Sequence, residues 1–163
     1  MATANLSVKI WGHTFKNPVI PAAGPNVGSG QMIRRTAEGG AGGLLAKTIS
    51  GVAAPVPHPN MVRIGKDNLL NTELWSELSP DAWFDHEYDI ALAAAREFNL
   101  PLIASVGYTP EDLSALGPRL QRKGIDMIEF SIHYLDPERL TETARALRNA
   151  VSIPIIAKLS QHS

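Results

Sequence analysis

The chain has 163 residues, 44% of them hydrophobic and 19% charged, a composition that predicts one folded globular domain and excludes a disordered or fibrous chain. A formal net charge of −1 leaves no electrostatic footprint for nucleic acid or an anionic membrane, so neither is an expected partner. The absence of cysteine excludes disulfides, a thiolate nucleophile and cysteine-held clusters; the N-terminus lacks a signal-peptide pattern and no apolar run approaches the roughly 18 residues of a membrane span, so a cytoplasmic location is expected.

In chain order, Ser7–Trp11, the pair Gly12-His13 and Thr14–Lys16 predict a small hairpin, with Gly12 supplying positive φ and the hairpin plugging the bottom of a sheet. Apolar runs at Val19–Ala23, Gly43–Ala46, Leu102–Ser105, Met127–Phe130 and Ile153–Ala157 predict five short strands buried on both faces, as parallel strands are. Between them, Gln31–Glu38, Pro80–Phe98, Pro110–Lys123 and Pro137–Ala150 carry apolar residues at helical spacing. Three helix starts repeat one device: Ser79-Pro80-Asp81, Thr109-Pro110-Glu111 and Asp136-Pro137-Glu138 each give a capping side chain, a proline in the first turn and an acid at the positive dipole end. The Pro- and Gly-rich stretch Thr48–Leu70 has no helical period and predicts a functional loop over the strand ends.

Strands alternating with helices make an α/β fold with a parallel sheet. Two architectures fit: an open doubly wound sheet complete with five strands, or a (β/α)₈ TIM barrel of which about four and a half units are present. The few residues after the fifth strand favour the barrel, with 1–163 forming the N-terminal part of a single domain.

In either architecture a ligand lies at the carboxyl ends of the strands. Lys47 and Lys158 each end an apolar run, where an ammonium group needs an anionic or acceptor-rich partner. Strand alternation puts Glu129 on the inward face within reach of Lys158, so a structural ion pair is the alternative to a ligand contact. Ala22, Ala23 and Gly24 leave room for a planar ring or a phosphate-bearing chain, or form an ordinary turn. Gly28-Ser29-Gly30 offers an anion site or a simple helix cap. Asn71 can read a ring edge or hold a turn. His133 and Tyr134, after the fourth strand, are the candidates for proton transfer, His133 being better matched to neutral pH. No metal site is expected, because the histidines lack ligand spacing.

Lys16-Asn17-Pro18 through Gly24, Met32-Ile33-Arg34-Arg35, Ala46-Lys47-Thr48, Leu70-Asn71-Thr72-Glu73-Leu74, Ile103-Ala104-Ser105 and Ala157-Lys158-Leu159 match one family in order. From about Leu6 to Leu159 the chain resembles the pyrimidine-reducing domain of dihydropyrimidine dehydrogenase and the dihydroorotate dehydrogenases. The resemblance implies an FMN-bearing TIM barrel that passes hydride between flavin N5 and C6 of a dihydropyrimidine, a role in pyrimidine metabolism. It implies that Ala22, Ala23, Gly24, Lys47, Ser105, Ser131 and Lys158 contact FMN, that Thr48 lies beside the reacting carbon, and that Asn71 and Glu73 meet the substrate. Lysines near flavin N1 and O2 would stabilise negative charge there.

The chain departs from the family at its fourth strand, Glu129-Phe130-Ser131-Ile132-His133-Tyr134-Leu135-Asp136. Ser131 stands where the family has an Asn that grips flavin and substrate, and Tyr134 where it has a catalytic Cys or Ser. Either His133 takes over proton transfer or the barrel serves another substrate. The family's FMN phosphate is held after strands 7 and 8, so this chain alone is expected to bind FMN weakly or not at all. Two further readings stand beside this one. One is a Schiff-base aldolase using Lys47 or Lys158; the other is a non-catalytic, truncated subunit whose strand edges pair with a partner. Expected associations are a small-molecule substrate and a homo-oligomer or electron-transfer subunit.

Overall fold

A computed structural model describes residues 4–131 and 137–159. The chain opens with an antiparallel hairpin, β1 (Val8–Ile10) and β2 (His13–Phe15). Its turn is Trp11-Gly12, at φ +48° and +85°, one residue earlier than Gly12-His13. Two successive positive φ values match the right-handed twist of the flanking strands, which fixes the turn there.

The predicted strand Val19–Ala23 is not a strand. It forms no ladder and is tied at its start where the Gly42 N–H donates to Val19 O (2.8 Å) and the Lys16 N–H to Gly42 O (2.9 Å). Val19 is exposed, so the apolar run does not enclose itself as the sequence suggests. A 3₁₀ turn (Pro25–Val27) leads to α1 (Gly30–Glu38), whose N-cap Ser29 accepts from the Met32 N–H. β3 is only Leu44–Leu45, shorter than Gly43–Ala46, though Ile49 adds a bridge to Val106.

The stretch Thr48–Leu70, expected to be irregular, contains β4 (Met61–Ile64), and β5 (Asn68–Asn71) pairs antiparallel with it. Then come α2 (Pro80–Ala82), a π turn (Trp83–Glu87) and α3 (Tyr88–Phe98), so the predicted helix Pro80–Phe98 is widened by one π turn. The remaining elements are β6 (Leu102–Val106), α4 (Pro110–Lys123), β7 (Met127–Ser131), α5 (Pro137–Ala150) and β8 (Ile155–Lys158). Ser79 and Thr109 accept from the Ala82 and Asp112 N–H groups as the capping pattern requires; Asp136 lies outside the described residues.

β3, β6, β7 and β8 form one parallel sheet in sequential order, without reversal. Its two faces differ. Leu44, Leu102, Ala104, Val106, Ile128 and Phe130 share one core with Ile33 of α1, Leu92 of α3, Leu113 of α4 and Leu147 of α5. Leu45, Ile103 and Met127 face the other way, against Phe15 of the hairpin, Ala23 and Ile156. Among the described residues helices cover one face and the strand order does not reverse, an arrangement compatible with a segment of a (β/α)₈ barrel.

The hairpin plugs the amino-terminal end of the helix-free face, as expected. An apolar cavity of about 300 Å³ remains between Val8, Ile10 and Phe15 and the sheet residues Ile103, Met127 and Ile156. No helix among the described residues is long and apolar enough to cross a membrane.

Candidate active site

In a parallel ladder, paired residues point to the same face, and so do residues two apart on one strand. The layer Leu45, Ile103, Met127 is apolar. Two residues further toward the carboxyl ends stand Lys47, Ser105 and Glu129, with Ser105 paired to Glu129 and Ser131 to Lys158. The helix-free face thus changes from a dry layer sealed by Phe15 to a polar rim.

Lys47 is almost wholly enclosed and its Nζ is ion-paired with Glu73; the side chains are 6% and 10% exposed. Glu73 also accepts from Asn60 Nδ2, which donates to Glu77 Oε1 at 2.8 Å. These groups border a cavity of about 470 Å³, with Ser29 and Ser76 in its wall. The Lys47 N–H donates to Val27 O (3.0 Å), which ties the lysine to the segment following Gly24.

Across the sheet, Thr48 Oγ1 lies 2.8 Å from Ser105 Oγ, and Ser105 Oγ donates to Glu129 Oε1 at 2.9 Å. Lys158 Nζ reaches the same carboxylate oxygen at 3.8 Å, its side chain 40% exposed. Both rim lysines therefore meet a carboxylate, and the Lys158–Glu129 pair anticipated from strand alternation is present.

The structure brings Lys47 and Glu73 together, and joins Thr48, Ser105, Glu129 and Lys158 in a second group. Ser131 is buried at the end of β7, level with Lys158. Ala22 is exposed, and Ala23 and Gly24 are half-buried, Ala23 packing against the apolar cluster of the helix-free face. Asn71 is exposed, and its Oδ1 accepts from the Glu73 N–H (2.8 Å), the turn role. Gly28-Ser29-Gly30 acts as a helix cap: the Gly30 N–H donates to Glu87 Oε2 at 2.6 Å, so the chain's own carboxylate meets this helix start. His133 and Tyr134 lie outside the described residues. Among the described residues, no cluster of His, Asp or Glu is arranged to hold a metal ion.

Sequence reasoning missed Asn60 and Glu77, whose only signal is their nearness to the Pro-rich loop and to Glu73. It also missed Trp75 and Tyr108, which meet edge to face at 5.5 Å beyond the strand ends, Trp75 Nε1 donating to Val52 O at 2.7 Å.

The fold and rim define a parallel α/β sheet with helices on one face and two carboxylate-paired lysines at its carboxyl edge. Several proteins similar in sequence carry one name. The chain is 32% identical over 162 residues to the catalytic subunit of dihydroorotate dehydrogenase B (NAD(+)) from Methanocella arvoryzae, covering 91% of this chain and 51% of that protein. It is 27% identical over 175 residues to the protein of that name from Pyrococcus furiosus, covering 98% and 55%. For the Thermococcus kodakarensis protein the figures are 29% over 178 residues, 98% and 55%. Over nearly its whole length the chain is thus similar to catalytic subunits of dihydroorotate dehydrogenase B. It spans about half the length of the curated relatives it matches. No protein-family profile matches it.

Proposed function

We propose that the chain is the N-terminal part of a single FMN-binding (β/α)₈ barrel domain, an oxidoreductase of the dihydroorotate and dihydropyrimidine dehydrogenase type acting on a pyrimidine-like substrate. The observation that carries this reading is the position of Lys47 and Lys158, at the carboxyl edge of a parallel sheet and within reach of its helix-free side. The sequential strand order supports the barrel.

The donor set suits an isoalloxazine ring. Two ammonium groups can meet its electron-rich edge, and the small residues Ala22, Ala23 and Gly24 leave room for a planar system. An alanine Cβ at Gly24 would meet only Ala22 O, at 3.9 Å, which keeps this approach open. When bound, FMN supplies the hydride acceptor and donor that no side chain of this chain can provide.

The residues themselves do the rest. Lys47 and Lys158 place positive charge at the rim, where it stabilises charge gained on reduction. Glu73, fixed by Lys47 and by the Asn71 turn, offers a carboxylate acceptor to a ring N–H in the neighbouring cavity. Thr48 stands between these groups, and His133 or Tyr134 would carry the proton. The Schiff-base reading is not favoured: each lysine meets a carboxylate, whereas an attacking amine needs its lone pair free. The relatives' designation as catalytic subunits favours an electron-transfer partner subunit.

The protein isolated from its own cells, with any polypeptide that completes the barrel, should be yellow. Dihydroorotate or dihydrouracil added without oxygen should bleach it. A colourless preparation, or one that neither compound bleaches, overturns the reading.

A further inference from the structure

The hydroxyl of Ser105 has a single proton, and it goes to Glu129 Oε1 at 2.9 Å. The 2.8 Å contact between Thr48 Oγ1 and Ser105 Oγ must then be donated by Thr48. Toward Glu129 the order runs in one direction: Thr48 gives to Ser105, Ser105 gives to Glu129, and the carboxylate oxygen that receives this bond also faces Lys158 Nζ at 3.8 Å. The four residues come from the segment after β3 and from β6, β7 and β8, so the chain crosses the rim of the entire sheet. Ser105 is fully buried and Glu129 nearly so, whereas Lys158 is partly open to solvent. The inner members are fixed by packing, and the outer one is held by what the inner members present to it.

We infer that Ser105 and Glu129 are positioning residues: Ser105 fixes the Glu129 carboxylate, which holds the Lys158 ammonium at the rim and, through Ser105, orients the Thr48 hydroxyl. Ser105 acts on a ligand through its neighbours, since its proton is committed to Glu129 and Thr48 occupies its acceptor side. Having donated its own proton, Thr48 can offer a ligand only lone pairs. This assignment deepens the flavin reading, but the placement of Lys158 can be measured without flavin.

The test is competitive acetylation of the purified protein with a trace of acetic anhydride, read by mass spectrometry as the labelling of Lys158 relative to the exposed Lys66. Glu129→Gln and Ser105→Ala should each raise that ratio by about two- to fivefold, the scale of a partly solvated ion pair. Ser105→Thr, which keeps the hydroxyl, should restore it. Buried Lys47 must stay unlabelled in each variant, showing that the fold is intact; if one variant unfolds, the other decides. A Lys158 ratio unchanged in the folded variants overturns the inference, and so does a lower melting temperature with no change in that ratio. Flavin content separates the two ideas: faster labelling in the variants, with no flavin in the wild type isolated with any polypeptide that completes the barrel, would sink the flavin reading and leave the positioning intact.

Discussion

Lys47 and Glu73, 26 residues apart, form an ion pair in which both side chains are withdrawn from water. Asn60 donates to the same carboxylate, so the pair is satisfied on more than one side. Removing one partner of such a pair strands a charge. Glu73→Ala should destabilise the fold by about 3 kcal/mol, whereas Lys47→Met combined with Glu73→Leu should recover most of the loss. Chemical denaturation of the three variants checks this; equal losses in the single and double variants would contradict it.

Tyr88 lies in the main core against Trp83 and Phe84, with ring centroids at 5.0 and 5.4 Å. Its hydroxyl is buried and meets no hydrogen-bond partner among the described residues, and burial pushes its pKa far above the ordinary tyrosine range. A buried hydroxyl that bonds to nothing costs free energy, so Tyr88→Phe should stabilise the protein by about 1 kcal/mol. A lower melting temperature in that variant would show that the hydroxyl has a partner.

A Cβ on Gly42 would collide with the backbone of Asn17, where the N-terminal segment crosses the sheet edge. Backbone cannot yield as a flexible side chain does, so Gly42→Ala should cost about 1–3 kcal/mol. Proteolysis should then begin in the hairpin. An unchanged cleavage pattern would separate the hairpin from this contact.

The Glu111 carboxyl is held below the usual carboxylate range, first by its own backbone N–H and next by the Thr109 hydroxyl. Because its folded-state pKa is the lower one, its contribution is complete above the unfolded-state value and is lost as pH falls through the folded value. Glu111→Gln should therefore melt slightly earlier than wild type at neutral pH, with the gap closing on acidification. A gap that widens in acid would reverse the sign of this account.

Much of the helix-side architecture is legible in the sequence, because its signals are local. Pro110–Lys123 and Pro137–Ala150 have the bounds their proline starts indicate. The inward direction of Glu129, and hence its meeting with Lys158, follows from strand alternation alone. What escapes is non-local. Val19–Ala23 has the composition of a strand, but strand formation needs a neighbour, and no ladder forms beside it among the described residues. The hairpin of β4 and β5 is exposed at every position, so burial leaves no alternating pattern to read. The pairing of Glu73 with Lys47 and Asn60 depends on how that hairpin returns over the rim, which no spacing encodes.

The central claim is that the rim lysines receive an electron-rich flavin ring, and titration of FMN into the flavin-stripped protein, together with any polypeptide that completes the barrel, tests it most directly. The account predicts a saturable perturbation of the visible flavin absorbance that is lost in Lys47→Ala. No perturbation in the wild type, or one that persists undiminished in Lys47→Ala, would contradict it.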